Sequence, residues 1–291
     1  GSDGLLIYAV PIKELMIALG TLKGYDPVAN TNRSDADLYV LLANYTFMPK
    51  NTAGFNVSYI HRSGAANGNA LTSTYWSAQS AGGVAFNAVN DVKFWNIMLT
   101  LDGALDFGLG YKFEVDKQFG KLDDTESPSG VDLKGSGLAF EVGADYKIAD
   151  IAKVGLDVAY GSGDKCQTWA GTTDGAACSS TGDNFEGYLN MSAHHPDSEW
   201  MIYDLIVGQK RAASTFAGTY AGMYNVMYAK VAASVTPLKD MFVGLNIFYL
   251  RAVAERYYNQ DKNIGYEADL TFNYKIYKNL NWMVQAGYFL A

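Results

Sequence analysis

Ile264-Gly-Tyr-Glu-Ala-Asp-Leu-Thr-Phe-Asn-Tyr-Lys-Ile276 decides how this chain is read. Ile264, Tyr266, Ala268, Leu270, Phe272, Tyr274 and Ile276 alternate without a break against Gly265, Glu267, Asp269, Thr271, Asn273 and Lys275. Successive side chains of a strand point to opposite faces, so a period of two makes one face apolar and the other polar. A soluble sheet sustains this over about five or six residues. A tilted strand needs about 9–11 residues to cross a bilayer, and the alternation at 264–276 covers that length.

The pattern recurs on both sides of this stretch. Leu138, Phe140, Val142, Ala144, Tyr146 and Ile148 oppose Ala139, Glu141, Gly143, Asp145 and Lys147. Leu105 through Val115 alternate in the same way with Asp106 through Asp116, and Val154 through Tyr160 with Gly155 through Gly161. Strands 36–47 and 222–236 alternate less cleanly. Short polar turns join the strands: Val10-Pro-Ile-Lys-Glu-Leu15, Met48-Pro-Lys-Asn-Thr52, Ile148-Ala-Asp-Ile-Ala-Lys153, Thr236-Pro-Leu-Lys-Asp-Met241, Ile276-Tyr-Lys-Asn-Leu280 and the Asp-Gly variant Leu101-Asp-Gly-Ala104. The expected hairpins are 4–10 with 13–23, 36–47 with 53–62, 91–101 with 104–116, 135–148 with 152–162, 222–236 with 241–254, and 264–276 with 280–290.

The other connections, 24–35, 63–90, 117–134, 163–221 and 255–263, are long and polar. Tight turns at one rim and long loops at the other are the asymmetry of bacterial outer-membrane barrels. The expectation is an all-β, transmembrane, antiparallel up-and-down β-barrel spanning residues 1–291 as one domain, with twelve strands visible. With the tight turns in the periplasm, both chain ends fall at the extracellular rim. At least one further strand at each end would restore the usual arrangement, giving about fourteen strands or more.

Composition agrees with a barrel. The chain has 291 residues, 21 tyrosines and 30 glycines, and no apolar run long enough for a membrane-spanning helix. A formal net charge of -8 leaves no basic stripe for nucleic acid. Cys166 and Cys178, in a Gly/Ser/Thr-rich stretch, are expected to close a loop by a disulfide, as in an oxidising compartment. Free loop thiols are the alternative. No Cys-x-x-Cys-His occurs, so no c-type haem attaches.

In a barrel the polar face of each strand lines the lumen. That gives Asp106, Glu114, Asp116, Glu141, Asp145, Asp157, Glu267 and Asp269 as acidic pore-lining candidates, with Lys112, Lys147, Lys275 and Arg62 as basic ones. An acidic surplus concentrates cations; cross-strand pairing that merely keeps the lumen wet is the competing interpretation. Segment 163–221 is too long for a plain connector and carries the apolar patch Trp200-Met-Ile-Tyr-Asp-Leu-Ile206, so it is expected to cap or enter the barrel mouth. His194, His195, Asp197 and Glu199 have neither helical nor strand metal-ligand spacing, and Asp123, Asp124 and Asp132 lack the EF-hand spacing. No metal and no cofactor is expected.

Tyr160-Gly-Ser-Gly-Asp164 and Asn279-Leu-Asn-Trp-Met-Val-Gln-Ala-Gly-Tyr-Phe-Leu-Ala291 resemble segments of porins of the alginate-export-like, deltaproteobacterial type. The resemblance covers about the last 140 residues. It implies a barrel of about fourteen to eighteen strands and passive movement of a polar solute. It does not bring alginate with it, because a polyanion exporter needs a basic lumen and this one leans acidic. The expected protein is a porin of the bacterial outer membrane, in contact with outer-membrane lipid, passing small hydrophilic solutes or ions with a weak cation preference. Trimers are common among porins, but no face of the chain singles out such a contact. The alternatives are a scaffold barrel sheathing an electron-transfer partner and, less favoured, an outer-membrane hydrolase built on one of three histidines.

Overall fold

The computed structural model describes residues 3–25, 35–63, 91–123, 132–163, 186–188, 226–253 and 262–290. Cys166, Cys178, His194, His195, Asp197, Glu199, Asp124 and the 200–206 patch lie outside them. The elements are β1 (Asp3–Ile12), β2 (Leu15–Tyr25), β3 (Asp35–Met48), β4 (Asn51–Ser63), β5 (Asp91–Ala104), β6 (Leu109–Asp123), β7 (Asp132–Gly135), β8 (Leu138–Ala149), β9 (Ala152–Gly161), β10 (Val226–Leu238), β11 (Met241–Arg251), β12 (Asn263–Tyr277) and β13 (Leu280–Leu290). They form one antiparallel sheet in which strands follow chain order, with β6 pairing both β7 and β8 along its length. Among the described residues β1 pairs only with β2 and β13 only with β12.

Every strand but β7 has 10 to 15 residues. An apolar band about 25 Å tall, crossed at about 40°, needs roughly ten residues at a rise of about 3.3 Å each. The sheet is inside-out relative to a soluble protein. Leu270, on one face of β12, is 48% exposed, and its neighbour Asp269, on the other, is 2% exposed. Outward-facing Leu156, Leu245, Ile247 and Val284 are likewise exposed, while Asp116, Gln118, Glu141, Asp157, Lys230 and Glu267 are buried on the concave face. Charges are withdrawn from solvent only where they find partners or a wet lumen, and apolar side chains face outward at such density only into lipid.

The connections segregate as the sequence leads one to expect. Two-residue turns Lys13-Glu14, Pro49-Lys50, Asp150-Ile151, Lys239-Asp240 and Lys278-Asn279 lie at one rim, and the strand ends that lead into the long connections lie at the other. One turn is displaced. Leu101-Asp-Gly-Ala104 is not a turn but the end of β5, and the chain reverses at Leu105–Gly108 instead. Gly108 supplies the positive φ of 95° that closes this turn, with its N–H donating to the Leu105 carbonyl at 3.0 Å. Gly103 serves packing rather than reversal. The Tyr111 hydroxyl donates to Asn51 Oδ1 at 2.6 Å across it, and a Cβ at 103 would lie 2.6 Å from Tyr111 Cζ. A second difference is the break at Ser136-Gly137, which separates β7 from β8 where one continuous strand was expected.

Candidate functional site

The concave face of the sheet is the site. Residues of β5, β6, β8, β9, β10, β11, β12 and β13, with Lys50 from the β3–β4 turn, line a cavity of about 580 Å³. The concave face is zoned from one rim to the other.

The middle zone is an ion-pair lattice. Register places Asp102, Lys112, Gly143, Asp157 and Lys230 side by side on five consecutive strands. Lys112 Nζ reaches Glu141 at 2.6 Å and Asp157 at 3.2 Å, and Lys230 Nζ reaches Asp157 at 3.0 Å. The Tyr228 hydroxyl donates to Glu141 at 3.4 Å. Lys112 and Asp157 meet across an intervening strand only because Gly143 has no side chain. A Cβ there would collide with Asp157 Oδ1 and stand 2.7 Å from Lys112 Cε. Glu141 and Asp157 balance Lys112 and Lys230, and Asp102 and Lys50 line the same cavity, so this zone is wet and carries little net charge.

The outer zone, toward the long connections, keeps the acidic surplus. Glu114 and Asp116 face inward on β6, and Asn96 Nδ2 donates to Asp116 Oδ1 at 3.1 Å. Glu267 and Asp269 face inward on β12, with Glu267 between Phe248 and Phe289 in register. Residues 186–188 of the long connection lie against this wall. Ser162 fastens them: its Oγ donates to the Glu186 carbonyl at 2.7 Å and accepts from Leu138 N–H at 2.9 Å. Its carbonyl accepts from Tyr188 N–H at 2.9 Å. Gly137 is a glycine for this contact, since a Cβ would stand 2.8 Å from Tyr188 Cα and from Gln118 Oε1. Tyr188 is buried with Ala139, Ala159, Val226 and Tyr228. Burial, followed by the Asp116 and Glu114 charges and a hydrogen bond to Asp116, pushes the Tyr188 phenol well above its ordinary pKa.

The inner zone, at the tight turns, is solvated. Lys153 pairs with Asp145 at 3.1 Å, and Lys147 with Asp150 at 2.9 Å. The Lys147 ammonium holds the exposed Asp150 carboxyl below its usual range. Asp106 stands on the displaced turn, exposed, and Lys275 is exposed at the same rim. These two candidates therefore sit at the rim and not within the wall. The Arg62 side chain lies outside the described ones. Among the described residues no group of three or more metal-ligating side chains occurs.

Sequence reasoning did not single out Lys230, Lys153, Asp102, Lys50 or Tyr188. For Lys230 the obscuring feature is β10 itself, where inward Val226, Tyr228 and Ala232 blur against outward Met227, Ala229 and Val231. Its place opposite Asp157, an opposite-charge cross-strand pair, depends on the β9–β10 register, which no tight turn fixes.

An apolar outer face, a charged inner wall and rim-segregated connections define the class of transmembrane up-and-down β-barrels. Solved structures similar to this chain are porins of that architecture. OccK8 (OprE) of Pseudomonas aeruginosa aligns with 99% of this chain and 66% of its own, at 12% identity and a TM-score of 0.54. OccK11 (OpdR) of Pseudomonas aeruginosa aligns with 100% of this chain and 65% of its own, at 13% identity and a TM-score of 0.51. A BenF-like porin from Pseudomonas fluorescens aligns with 99% of this chain and 62% of its own, at 12% identity and a TM-score of 0.50. At such identities the likeness is one of fold, and the chain spans just under two thirds of these proteins' lengths. No protein-family model and no curated protein sequence matches the chain. The likeness in fold is thus to Occ-type and BenF-like porins.

Proposed function

We propose that this chain forms a channel of the bacterial outer membrane through which small hydrophilic solutes or ions diffuse passively, with a weak preference for cations. The observation that carries this reading is the inverted wall: charged side chains line a cavity on the concave face while the convex face is apolar. The inward wall positions hold Asp102, Glu114, Asp116, Glu141, Asp145, Asp157, Glu267 and Asp269 against Lys112, Lys147, Lys153 and Lys230. The ion-pair lattice neutralises Glu141 and Asp157. The surplus therefore lies at Glu114, Asp116, Glu267 and Asp269 in the outer zone, where it draws cations toward the mouth. Residues 186–188 narrow the outer zone, which suits a sized channel better than a sheath around a protein partner. His61 stacks with Tyr59 on the outward face, ring centroids 6.3 Å apart, and so stands away from the wall carboxylates a hydrolase would need. The resemblance to the alginate-export-like group rests on residues 160–164 and 279–291, and the channel works alone or in the trimers common among porins.

Planar-bilayer recording in a KCl gradient tests this. Discrete conductance steps with a cation-selective reversal potential are expected. Anion selectivity would overturn the cation preference, and absence of steps would overturn the channel.

We also propose that Cys166 and Cys178 form a disulfide in the long connection. A peptide map without reductant is expected to show one linked pair that separates on reduction. Two thiols open to alkylation before reduction would show the pairing to be wrong.

A further inference from the structure

The outward face of β2 to β7 carries two stacked cross-strand rows at the long-connection end. The lower row is Thr21, Tyr39, Tyr59, Trp95 and Phe119, each directly opposite the next. Its rings touch: Tyr39 and Tyr59 centroids are 6.3 Å apart, Tyr59 and Trp95 4.4 Å. Two residues further along every strand comes Lys23, Asp37, His61, Lys93, Lys121 and Lys134, again directly opposite one another. Phe94, Asn96 and Gln118 are buried on the concave side, so Lys93, Trp95, Phe119 and Lys121, at alternate positions, face away from the lumen.

We infer that this face binds a phosphate-bearing lipid headgroup. Tyr and Trp on the lipid side of a barrel mark the depth where hydrocarbon gives way to headgroups. A step of two residues is about 6.6 Å along a strand, which sets the lysines just above that boundary, level with lipid phosphates. Four lysines against Asp37 give the row a basic excess. At this position each lysine adds attraction for anionic lipid. Asp91, Asp123 and Asp132 occupy the next register positions outward. The partner is a membrane lipid rather than free phosphate, because the aromatic row beneath offers a stacked apolar floor that only an amphiphile would use. The side of the membrane rests on the proposed outer-membrane reading, in which the long connections face the exterior and the lipid belongs to the outer leaflet.

The test is native mass spectrometry of the folded protein released from detergent micelles doped with bisphosphorylated lipid A, the same lipid after phosphatase treatment, or phosphatidylcholine. Retention of the phosphorylated lipid is expected to exceed that of both controls. The Lys93→Gln, Lys121→Gln, Lys134→Gln triple variant is expected to weaken it at least about tenfold. Equal retention before and after phosphatase treatment, or an unchanged triple variant, would overturn the inference. The phosphatase comparison uses unmodified protein, so it decides the matter even where the variant folds poorly. Bilayer conductance separates the two proposals. Phosphate-dependent retention without conductance steps defeats the channel and leaves the lipid site. Steps without phosphate-dependent retention do the reverse.

Discussion

Asp157→Asn is expected to move the reversal potential toward anion selectivity and to weaken the folded barrel at the same time. Asp157 is the shared partner of Lys112 at 3.2 Å and Lys230 at 3.0 Å, and Lys230 is 4% exposed. Removing one member of a buried pair leaves the other uncompensated, a loss of about 3–5 kcal/mol in a dry interior. Here the cavity admits water and Glu141 still holds Lys112 at 2.6 Å, so about 1–3 kcal/mol is the reasonable scale. Urea unfolding followed by tryptophan fluorescence reads that loss. Lys230→Met should also destabilise but shift selectivity the other way, toward cations. The double variant should restore much of both properties, because it removes a balanced pair. An unchanged reversal potential in either single variant would place the lattice off the permeation path and leave it a purely structural element.

The same lattice shows what a linear reading of this chain can and cannot reach. The inward and outward rows of β12 are legible because Glu267, Asp269, Thr271, Asn273 and Lys275 alternate with Tyr266, Ala268, Leu270, Phe272, Tyr274 and Ile276, and only Ala268 among the latter is small. Lys112, Glu141 and Asp157 are legible as wall residues for the same reason. That Lys112 bridges two strands is not, because the contact depends on Gly143, whose meaning is the absence of a side chain between two partners. Gly103 deceives in the opposite direction. Asp-Gly is a strong turn signal, but the need for clearance under the Asn51–Tyr111 hydrogen bond is a tertiary fact, and the turn passes to Gly108. The inward course of residues 186–188 likewise has no periodic signature. It rests on Ser162 and Gly137, a small polar residue and a glycine that look like ordinary loop residues in sequence.

A pair of adjacent substitutions tests the inverted architecture more severely than any lumen variant. Leu270 and Thr271 are neighbours near the centre of β12, and strand periodicity sends them to opposite faces. Leu270 is outward and exposed, opposite Leu245 and Ala286, whereas Thr271 lines the cavity opposite Gly244 and Gln285. In a soluble sheet Leu270→Arg would be a benign or even solubilising change on an exposed face. In a barrel it puts a guanidinium at the hydrocarbon midplane, at a cost of about 2–4 kcal/mol. Thr271→Arg instead enters the wet cavity beside Gly244, where room exists and Asp269 lies two residues away on the same face. It should fold with little loss while lowering conductance and cation preference. Reconstitution into vesicles followed by urea titration distinguishes the two positions. Folding yield should collapse or the midpoint fall for Leu270→Arg and hold for Thr271→Arg. Equal tolerance at both would mean that lipid does not face Leu270, and the membrane assignment of the whole convex surface would fall with it, since Leu156, Leu245, Ile247 and Val284 share that side of the sheet.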